Sequence, residues 1–256
     1  MQQISALIFA ACVIAATTAL AQAVDHAGSG PARRAHAVLD ARAEVGDIVR
    51  LVNAFRQQEG RGGVTEERRL ATTAQDFAEF MARTGRYGHE ADGRSPDQRA
   101  QAQAYAYCVI SENIAFQQRS SGFASGELAR LFVEGWRNSP VHRHNMLDEA
   151  VTDTGVGLAR SNAGRWYAVQ MFGLPESARI RFDVANDTGV TVRYRLGDET
   201  FELPPRVTRT HSQCKARDLT LLQSNGSAAG QLHPSTGAHY RIVPNGSGSW
   251  HFAEQR

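Results

Sequence analysis

Three side chains in the first two thirds of the sequence have the types that could do chemistry: His89, Glu112 and His142. His89 ends a Tyr-Gly-His run, Glu112 opens a Glu-Asn-Ile-Ala run, and His142 closes a Ser-Pro-Val-His run. Imidazole and carboxylate groups transfer protons and bind metal ions, so they commonly carry acid–base and metal chemistry. We therefore treat these three residues as candidates for a site.

We do not interpret the other polar residues as parts of a functional site. Ser139 precedes His142 by three positions, but a hydroxyl before proline at a helix end is normally a turn residue, and no orienting acid or oxyanion hole is evident. His144 is expected to face away from His142 on an extended segment and to be exposed. His211 and Cys214 form one His-x-x-Cys without a second pair at metal-site spacing. Three further histidines are interpreted as surface residues: His233, His239 and His251.

Helical periodicity predicts the elements that would position these residues. Apolar side chains recur at helical spacing over residues 48–55 and 70–81, and glycines follow each run. A third apolar stripe predicts a helix over residues 127–136, which Ser139-Pro140 would stop. The sequence therefore predicts helices immediately before His89 and before His142.

The period then changes to two, which is typical of strands. Residues 155–160 and 165–172 are predicted strands, and a turn-rich segment between them predicts an antiparallel hairpin. Helices followed by a hairpin indicate an α+β domain rather than a parallel βαβ sheet. Short β-propensity runs separated by turn signals fill residues 178–256, which we interpret as a small all-β appendage. An appendage of this size would gain stability from docking or a bridge.

The first 23 residues contain no Asp, Glu, Lys or Arg and end in Ala-Gln-Ala, which predicts a signal peptide cleaved after Ala23. An uncleaved membrane anchor and lipidation at Cys12 remain alternatives. Residues 24–43 are then interpreted as a linker and residues 44–177 as the first domain. We expect a secreted or periplasmic protein that contacts a membrane only during export.

Loss of the leader would leave two cysteines, Cys108 and Cys214, in an oxidising compartment. They could form one disulfide. They could equally be two separate buried thiols, because their distance in space does not follow from the sequence.

The charge balance argues against one large class of partner. The sequence has 28 Lys and Arg against 26 Asp and Glu, so no strong overall field favours nucleic acid. No glycine-rich phosphate loop, dinucleotide fingerprint or basic-aromatic stripe is present in the sequence. The partner must therefore be recognised by a local site.

Residues 48–173 resemble the CAP superfamily of cysteine-rich secretory, antigen 5 and pathogenesis-related proteins, also called SCP domains, and specifically its bacterial exported branch. The resemblance lies in ordered motifs: Leu51–Arg56, Tyr87-Gly88-His89, Glu112-Asn113-Ile114, Trp136–Leu147, Gly155-Val156-Gly157 and Tyr167–Gly173. Motifs in the family's order over half the chain predict the family's fold.

The resemblance implies an α-β-α sandwich whose central cleft binds a divalent cation in several relatives. His89, Glu112 and His142 stand at the matching positions. Two imidazoles and a carboxylate, with a fourth position for water, would make an open Zn²⁺ site, and the ion would acidify its water. The sequence departs from the pattern at Ser139, where many relatives have a second glutamate; Glu134 is no residue-by-residue match for it.

The function that this resemblance implies is an exported binding or interaction module around a cation-binding cleft, with an unidentified extracellular or cell-envelope ligand. One alternative is a metal-assisted hydrolase of peptide or cell-envelope substrates, in which Glu112 ligates the ion or serves as general base. A groove that binds a lipid is a third. Without a metal, the two histidines could simply be satisfied by Glu112, or Glu112 could accept backbone N–H groups at a bend.

Overall fold

The structure is a computed structural model that describes residues 39–245 and 248–255. The predicted signal peptide, Cys12 and most of the predicted linker lie outside the described residues. Among the described residues, no helix combines the length and the apolar character needed to cross a membrane.

The layered region, residues 39–175, contains five helices and four strands. In chain order they are α1 (Ala41–Gln58), β1 (Thr65–Glu66), α2 (Arg68–Thr84), α3 (Pro96–Ala102), β2 (Tyr107–Gln117), α4 (Glu127–Asn138), α5 (Pro140–Leu147), β3 (Asp153–Arg160) and β4 (Trp166–Pro175). Helix α1 begins where the Asp40 side chain accepts the N–H groups of Arg42 and Ala43, so its first turn includes the end of the predicted linker.

The four strands form one sheet in the order β1-β3-β4-β2. Strands β3 and β4 form the predicted hairpin, in which Arg160 pairs with Trp166. Strand β2 runs antiparallel to β4 and lies at the edge of the sheet. Strand β1 is only two residues long and pairs with β3 in parallel. The sheet is therefore almost entirely antiparallel, as an α+β fold requires.

Alternating side chains of β4 show that helices cover both faces of the sheet. Tyr167, Val169 and Met171 pack with the apolar side chains of α2 and α3. Ala168 and Phe172 point the other way and pack with those of α1 and α4. The α+β fold class and the α-β-α sandwich are thereby confirmed.

Two glycines of β3 let α2 approach the sheet closely. A Cβ atom on Gly155 would overlap the backbone of Leu70 and Ala71, and one on Gly157 would overlap the backbone of Ala74 and Gln75. No other residue fits at these positions without displacing the helix.

The β-rich region, residues 180–255 as described, follows a short 3-10 turn at Glu176–Ala178. Its strands are β5 (Ile180–Asn186), β6 (Val192–Leu196), β7 (Glu199–Leu203), β8 (Thr208–Gln213), β9 (Leu219–Leu222), β10 (Ala228–Leu232), β11 (His239–Pro244) and β12 (Trp250–Gln255). They form two four-stranded sheets, in the orders β10-β9-β6-β7 and β12-β11-β5-β8, and apolar residues of both sheets share one core. This is the predicted all-β appendage.

A disulfide between Cys108 and Cys214 joins the two regions. The sequence left open whether the two cysteines are bridged or are separate thiols, and in the structure they are bridged. Cys108 lies in β2 at a register shift between Tyr107 and Val109, and Cys214 directly follows β8. The β-rich region is thus linked covalently to the strand that carries Glu112.

Candidate functional site

Strand β2 positions the central carboxylate of the site. The sequence analysis did not predict this strand, and Glu112 lies in its middle rather than at a bend. Alternation along β2 directs Glu112 with Ile110 and Ile114 toward the layer of α2 and α3, and Asn113 toward the layer of α5. The interpretation of Glu112 as a backbone acceptor at a bend is therefore wrong.

Both carboxylate oxygens of Glu112 have partners. Oε1 lies 2.8 Å from Nδ1 of His89, and Oε2 accepts a 2.7 Å hydrogen bond from Arg99. The Glu112 side chain is only 1% exposed, and that of Arg99 3%. Burying a carboxylate is costly unless it is paired, and here the guanidinium pairs with it. Glu112 therefore has no free oxygen facing the solvent.

Arg99 connects four acceptors around this carboxylate. Besides Glu112 it donates to Asp92 at 2.9 Å, to the His89 carbonyl at 2.9 Å and to the Arg94 carbonyl at 2.7 Å. Its guanidinium also lies 3.6 Å from the centre of the Phe77 ring. Burial opposes the ionisation of Asp92, but hydrogen bonds from Arg94 and the charge of Arg99 outweigh it and lower the Asp92 pKa.

His142 lies on α5, which contacts β2 on the side opposite to the Glu112 side chain. Its helix α5 is held against β2, because Asn113 donates to the His142 carbonyl at 3.2 Å and Asn145 donates to the Glu112 carbonyl at 3.2 Å. Burial, and then the charge of nearby His89, lower the pKa of His142. Both effects act against the charged imidazole, so the neutral form of His142 is favoured.

His89 is the most accessible of the three predicted residues, since 47% of its side chain is exposed. An ionised carboxylate can only accept a hydrogen bond, so a neutral His89 carries its proton on Nδ1, next to Glu112. Its Nε2 then has a lone pair available to a cation or a proton. The arrangement can thus bind a metal or transfer a proton.

Two aromatic side chains extend the site along β2. Tyr87 and Phe116 are both exposed, and their rings meet edge to face with centroids 5.2 Å apart. The Tyr87 hydroxyl donates to the Ile114 carbonyl at 3.3 Å. Burial of the hydroxyl, and then the charge of Glu112, raise the pKa of Tyr87. Apolar surface is therefore available beside the imidazoles.

A comparison with protein families identifies the layered region. The model of the cysteine-rich secretory protein family, CAP, matches residues 49–172. This region is a CAP domain. Members of the family are typically extracellular, and membership supports an interaction-type module. The β-rich region lies outside the match.

Solved structures similar to this chain each align with just over half of it. An outer surface protein of Borrelia burgdorferi shares 16% identity over 54% of this chain and 97% of that chain, with a TM-score of 0.48. An extracellular protein with an SCP domain from Bacillus anthracis shares 24% identity over 52% of this chain and 40% of that chain, with a TM-score of 0.42. A cysteine-rich secretory protein of Staphylococcus aureus shares 17% identity over 54% of this chain and 40% of that chain, with a TM-score of 0.41.

The alignments therefore cover less than half of the Bacillus and Staphylococcus proteins. A search of curated proteins gives no significant match.

The other polar residues considered in the sequence lie at a helix junction or on exposed helix surface. Helix α4 ends at Asn138 and α5 begins at Pro140, so Ser139 lies at the turn between two helices. His144 is exposed as expected, but the prediction of an extended segment is wrong, because it lies on α5. Glu134 pairs with Arg130 on the exposed side of α4.

The histidines of the β-rich region do not assemble a second site. His211 is buried, and its Nε2 lies 2.8 Å from the Tyr194 hydroxyl, while Cys214 is in the disulfide. The other three are exposed, as predicted: His233, His239 and His251.

The donor set limits how the CAP domain could hold a cation. Among residues 39–245 and 248–255, no three His, Cys, Asp or Glu side chains are grouped as a metal site. Each Glu112 oxygen already accepts one hydrogen bond and the side chain is only 1% exposed, so direct ligation by Glu112 would compete with His89 and Arg99. His89 and His142 carry ring nitrogens of the kind that cations bind, and a site made from them, with or without Glu112, stays a prediction.

Sequence reasoning missed Arg99 and Asp92. A Ser95 and Gln98 capping box opens α3 and could have revealed that helix. Nothing in the sequence distinguishes Arg99 from the other arginines, because its role depends on partners in two other segments, residues 89–94 and β2.

Proposed function

We propose that this chain is an exported binding module whose CAP domain holds a divalent cation, such as Zn²⁺, between His89 and His142. The cation would help to bind an extracellular or cell-envelope ligand. The observation that carries the proposal is the 2.8 Å contact between His89 Nδ1 and buried Glu112. Metal-binding histidines usually donate their second N–H to a carboxylate or carbonyl in this way.

In this proposal Glu112 orients a ligand and is neither a ligand nor the general base. His89 offers Nε2, and His142 offers an imidazole whose burial favours the neutral, metal-binding form. Two protein ligands leave coordination positions for water or for a donor group of the bound partner. When bound, the cation would supply positive charge and Lewis acidity in the cleft.

Export is proposed on three grounds. The uncharged segment before Ala23 has the pattern of a cleaved leader. The CAP family is typically extracellular, and a disulfide persists best in an oxidising compartment.

Calorimetric titration of the chain from Val24 onward with Zn²⁺ tests the cation site. We expect one binding event that His89→Ala and His142→Ala each remove. His144→Ala is the matched control, since His144 lies on the same helix as His142 but is exposed and outside the pair. No binding by the wild type, or an equal loss in His144→Ala, would contradict the proposal.

A second function, hydrolysis, is favoured by one observation. An accessible imidazole oriented by a buried carboxylate is the arrangement of a general base. The protein should then turn over peptide or peptidoglycan substrates, and His89→Ala should lose that turnover. Activity that requires added Zn²⁺ and both histidines would favour the metal-assisted form, and no turnover under either condition leaves the binding module.

A further inference from the structure

We propose that Arg99 is the positioning residue of this site: its guanidinium fixes the orientation and the tautomer of His89. This inference rests on the proposed function in one respect only: the proposed function makes Nε2 of His89 the atom that binds the cation. The orientation itself is a property of the metal-free protein.

The geometry that carries the inference is that one guanidinium holds both sides of the His89–Glu112 contact. Nη2 of Arg99 donates to Oε2 of Glu112 at 2.7 Å and to the backbone carbonyl of His89 at 2.9 Å. The carboxylate and the backbone of the residue that it orients are therefore fixed to the same nitrogen. Any movement of Arg99 would change the distance between the His89 ring and its acceptor.

The other guanidinium nitrogen anchors Arg99 itself. Nη1 donates to Asp92 at 2.9 Å and to the Arg94 carbonyl at 2.7 Å, both in the segment between His89 and α3. The face of the guanidinium rests on Phe77 of α2. Arg99 thus has one packed position, with its planar group matched to four acceptors.

A fixed acceptor determines which ring nitrogen carries the proton. With Glu112 held beside Nδ1, a neutral His89 keeps its proton on Nδ1 and presents Nε2 to the cleft. Without Arg99, neither the Glu112 carboxylate nor the His89 backbone keeps its position relative to the other. The ring then turns and samples the other tautomer, in which Nε2 carries the proton and cannot bind a cation.

Nitrogen-15 NMR of the histidine side chains in metal-free protein tests this directly, at a pH of about 8, where an ordinary imidazole is neutral. We expect His89 of the wild type to be in the Nδ1–H form and Arg99→Met to gain a substantial Nε2–H population. Arg94→Met is the matched control, because Arg94 is 54% exposed and pairs with Asp92 without touching Glu112. The Arg94 variant should keep the wild-type tautomer.

Arg99→Lys protects the test against a variant that does not fold. Lysine keeps the charge, but a single ammonium cannot reach all four acceptors, so we expect a mixture of tautomers with an unchanged amide spectrum. A folded Met or Lys variant in which His89 stays entirely in the Nδ1–H form overturns the inference.

Zinc titration separates this inference from the proposed function. Loss of an outer-shell partner typically weakens metal binding about 10- to 100-fold, which we expect for Arg99→Met. If the wild type binds no Zn²⁺ while the tautomer still shifts in the variant, the proposed function fails and the inference stands. If the wild type binds Zn²⁺ and the tautomer is unchanged in the variant, the inference fails and the proposed function stands.

Discussion

The CAP domain and the β-rich region bury polar groups of different kinds. Among the described residues, the buried arginines and glutamates all lie in the CAP domain: Glu44, Arg56, Arg99 and Glu112. The buried polar residues of the β-rich region are neutral or weakly basic: Asn186, Thr188, His211, Gln213 and Thr220. Buried charge is expensive, so its concentration in one region requires an explanation.

Each buried charge of the CAP domain connects elements that apolar packing alone would leave free to slide. Glu44 of α1 accepts the N–H groups of Gly126 and Ala129 at the start of α4. Arg56 of α1 donates to carbonyls at and after the end of α5, including Met146 at 2.7 Å. These contacts fix α1 relative to α4 and to α5, the helix that carries His142, and a preorganised site needs its supporting helices fixed.

Among its described residues the β-rich region has no network of buried charges, and its core is built from aromatic and aliphatic side chains. Its charges lie on the surface, where they have little effect on stability. The difference indicates that the CAP domain is organised around a site, whereas the β-rich region is organised around its core. Four predictions test this contrast.

Removal of the disulfide should have the largest effect. The bridge joins residues 106 positions apart, and loss of such a cross-link typically costs about 2–5 kcal/mol of unfolding free energy. We expect Cys108→Ser/Cys214→Ser to show this loss in urea unfolding, mainly in the β-rich region. Ser212→Ala, an exposed change near Cys214, is the control. Unfolding identical to wild type would show that the β-rich region is self-sufficient.

Gly157→Ala should have the next largest effect, within the CAP domain. The added methyl group would overlap the backbone of Ala74, so α2 must move, at a cost of about 1–3 kcal/mol. Gly135→Ala is the matched control, because a Cβ there meets no atom within 4 Å and alanine favours the helix. We expect Gly157→Ala to lower the midpoint temperature of thermal unfolding, and Gly135→Ala to leave it unchanged or to raise it. Equal effects would refute the close approach of α2 to β3.

The predicted elements differ from the missed ones in how strongly their own residues specify them. Helices α1, α2 and α4 and the hairpin of β3 and β4 each have an apolar side that faces a core, so periodicity predicted them. Strand β2 and helix α3 carry the polar residues of the site, so their patterns are interrupted. The sequence was least informative where the site is built.

The candidate site shows the same division. His89, Glu112 and His142 were found from motifs that are continuous in the sequence. Their partners could not be found in this way, because Arg99 acts through contacts with distant segments. The sequence also leaves undecided whether Cys108 and Cys214 form a disulfide, since only the fold brings them together.

His211→Phe should have a moderate effect that depends on pH. The change removes one partner of the buried Tyr194 hydroxyl, which keeps a hydrogen bond with Arg209, so we expect a cost of about 0.5–1.5 kcal/mol at neutral pH. Burial, and then the charge of Arg209, lower the pKa of His211 below its ordinary value. The unfolded chain has the ordinary histidine pKa, and the folded chain has the lowered one. As the pH falls from the first pKa to the second, the unfolded chain binds a proton at His211 and the folded chain does not, so wild-type stability falls.

Denaturant unfolding at several pH values measures this effect. The variant should lose the part of the pH dependence that His211 causes, so its stability should approach that of the wild type in acid. His239→Phe is the control, because its ring is 63% exposed. A variant with unchanged pH dependence would mean that the core of the β-rich region tolerates a charged imidazole.

Lys215→Met should have the smallest effect, although it removes a direct ion pair between the two regions. Lys215 lies 2.8 Å from Asp148 and is half exposed. Because solvent screens the half-exposed ammonium of this pair, we expect a contribution of about 0–1 kcal/mol. Burial opposes the ionisation of Asp148, but the hydrogen bonds from Lys215 and the Ala150 backbone, together with the charge of Lys215, outweigh it and lower the Asp148 pKa. Loss of the Lys215 contribution should therefore raise that pKa.

The same urea unfolding used for the disulfide variant measures this change, with and without about 1 M salt, which screens exposed charges. We expect salt to remove the small difference between Lys215→Met and wild type, while the disulfide variant keeps its deficit. A loss as large as that of the disulfide variant would mean that charge, rather than the covalent bridge, holds the β-rich region against the CAP domain. Buried or interfacial charge would then organise both regions, and the contrast between them would fail.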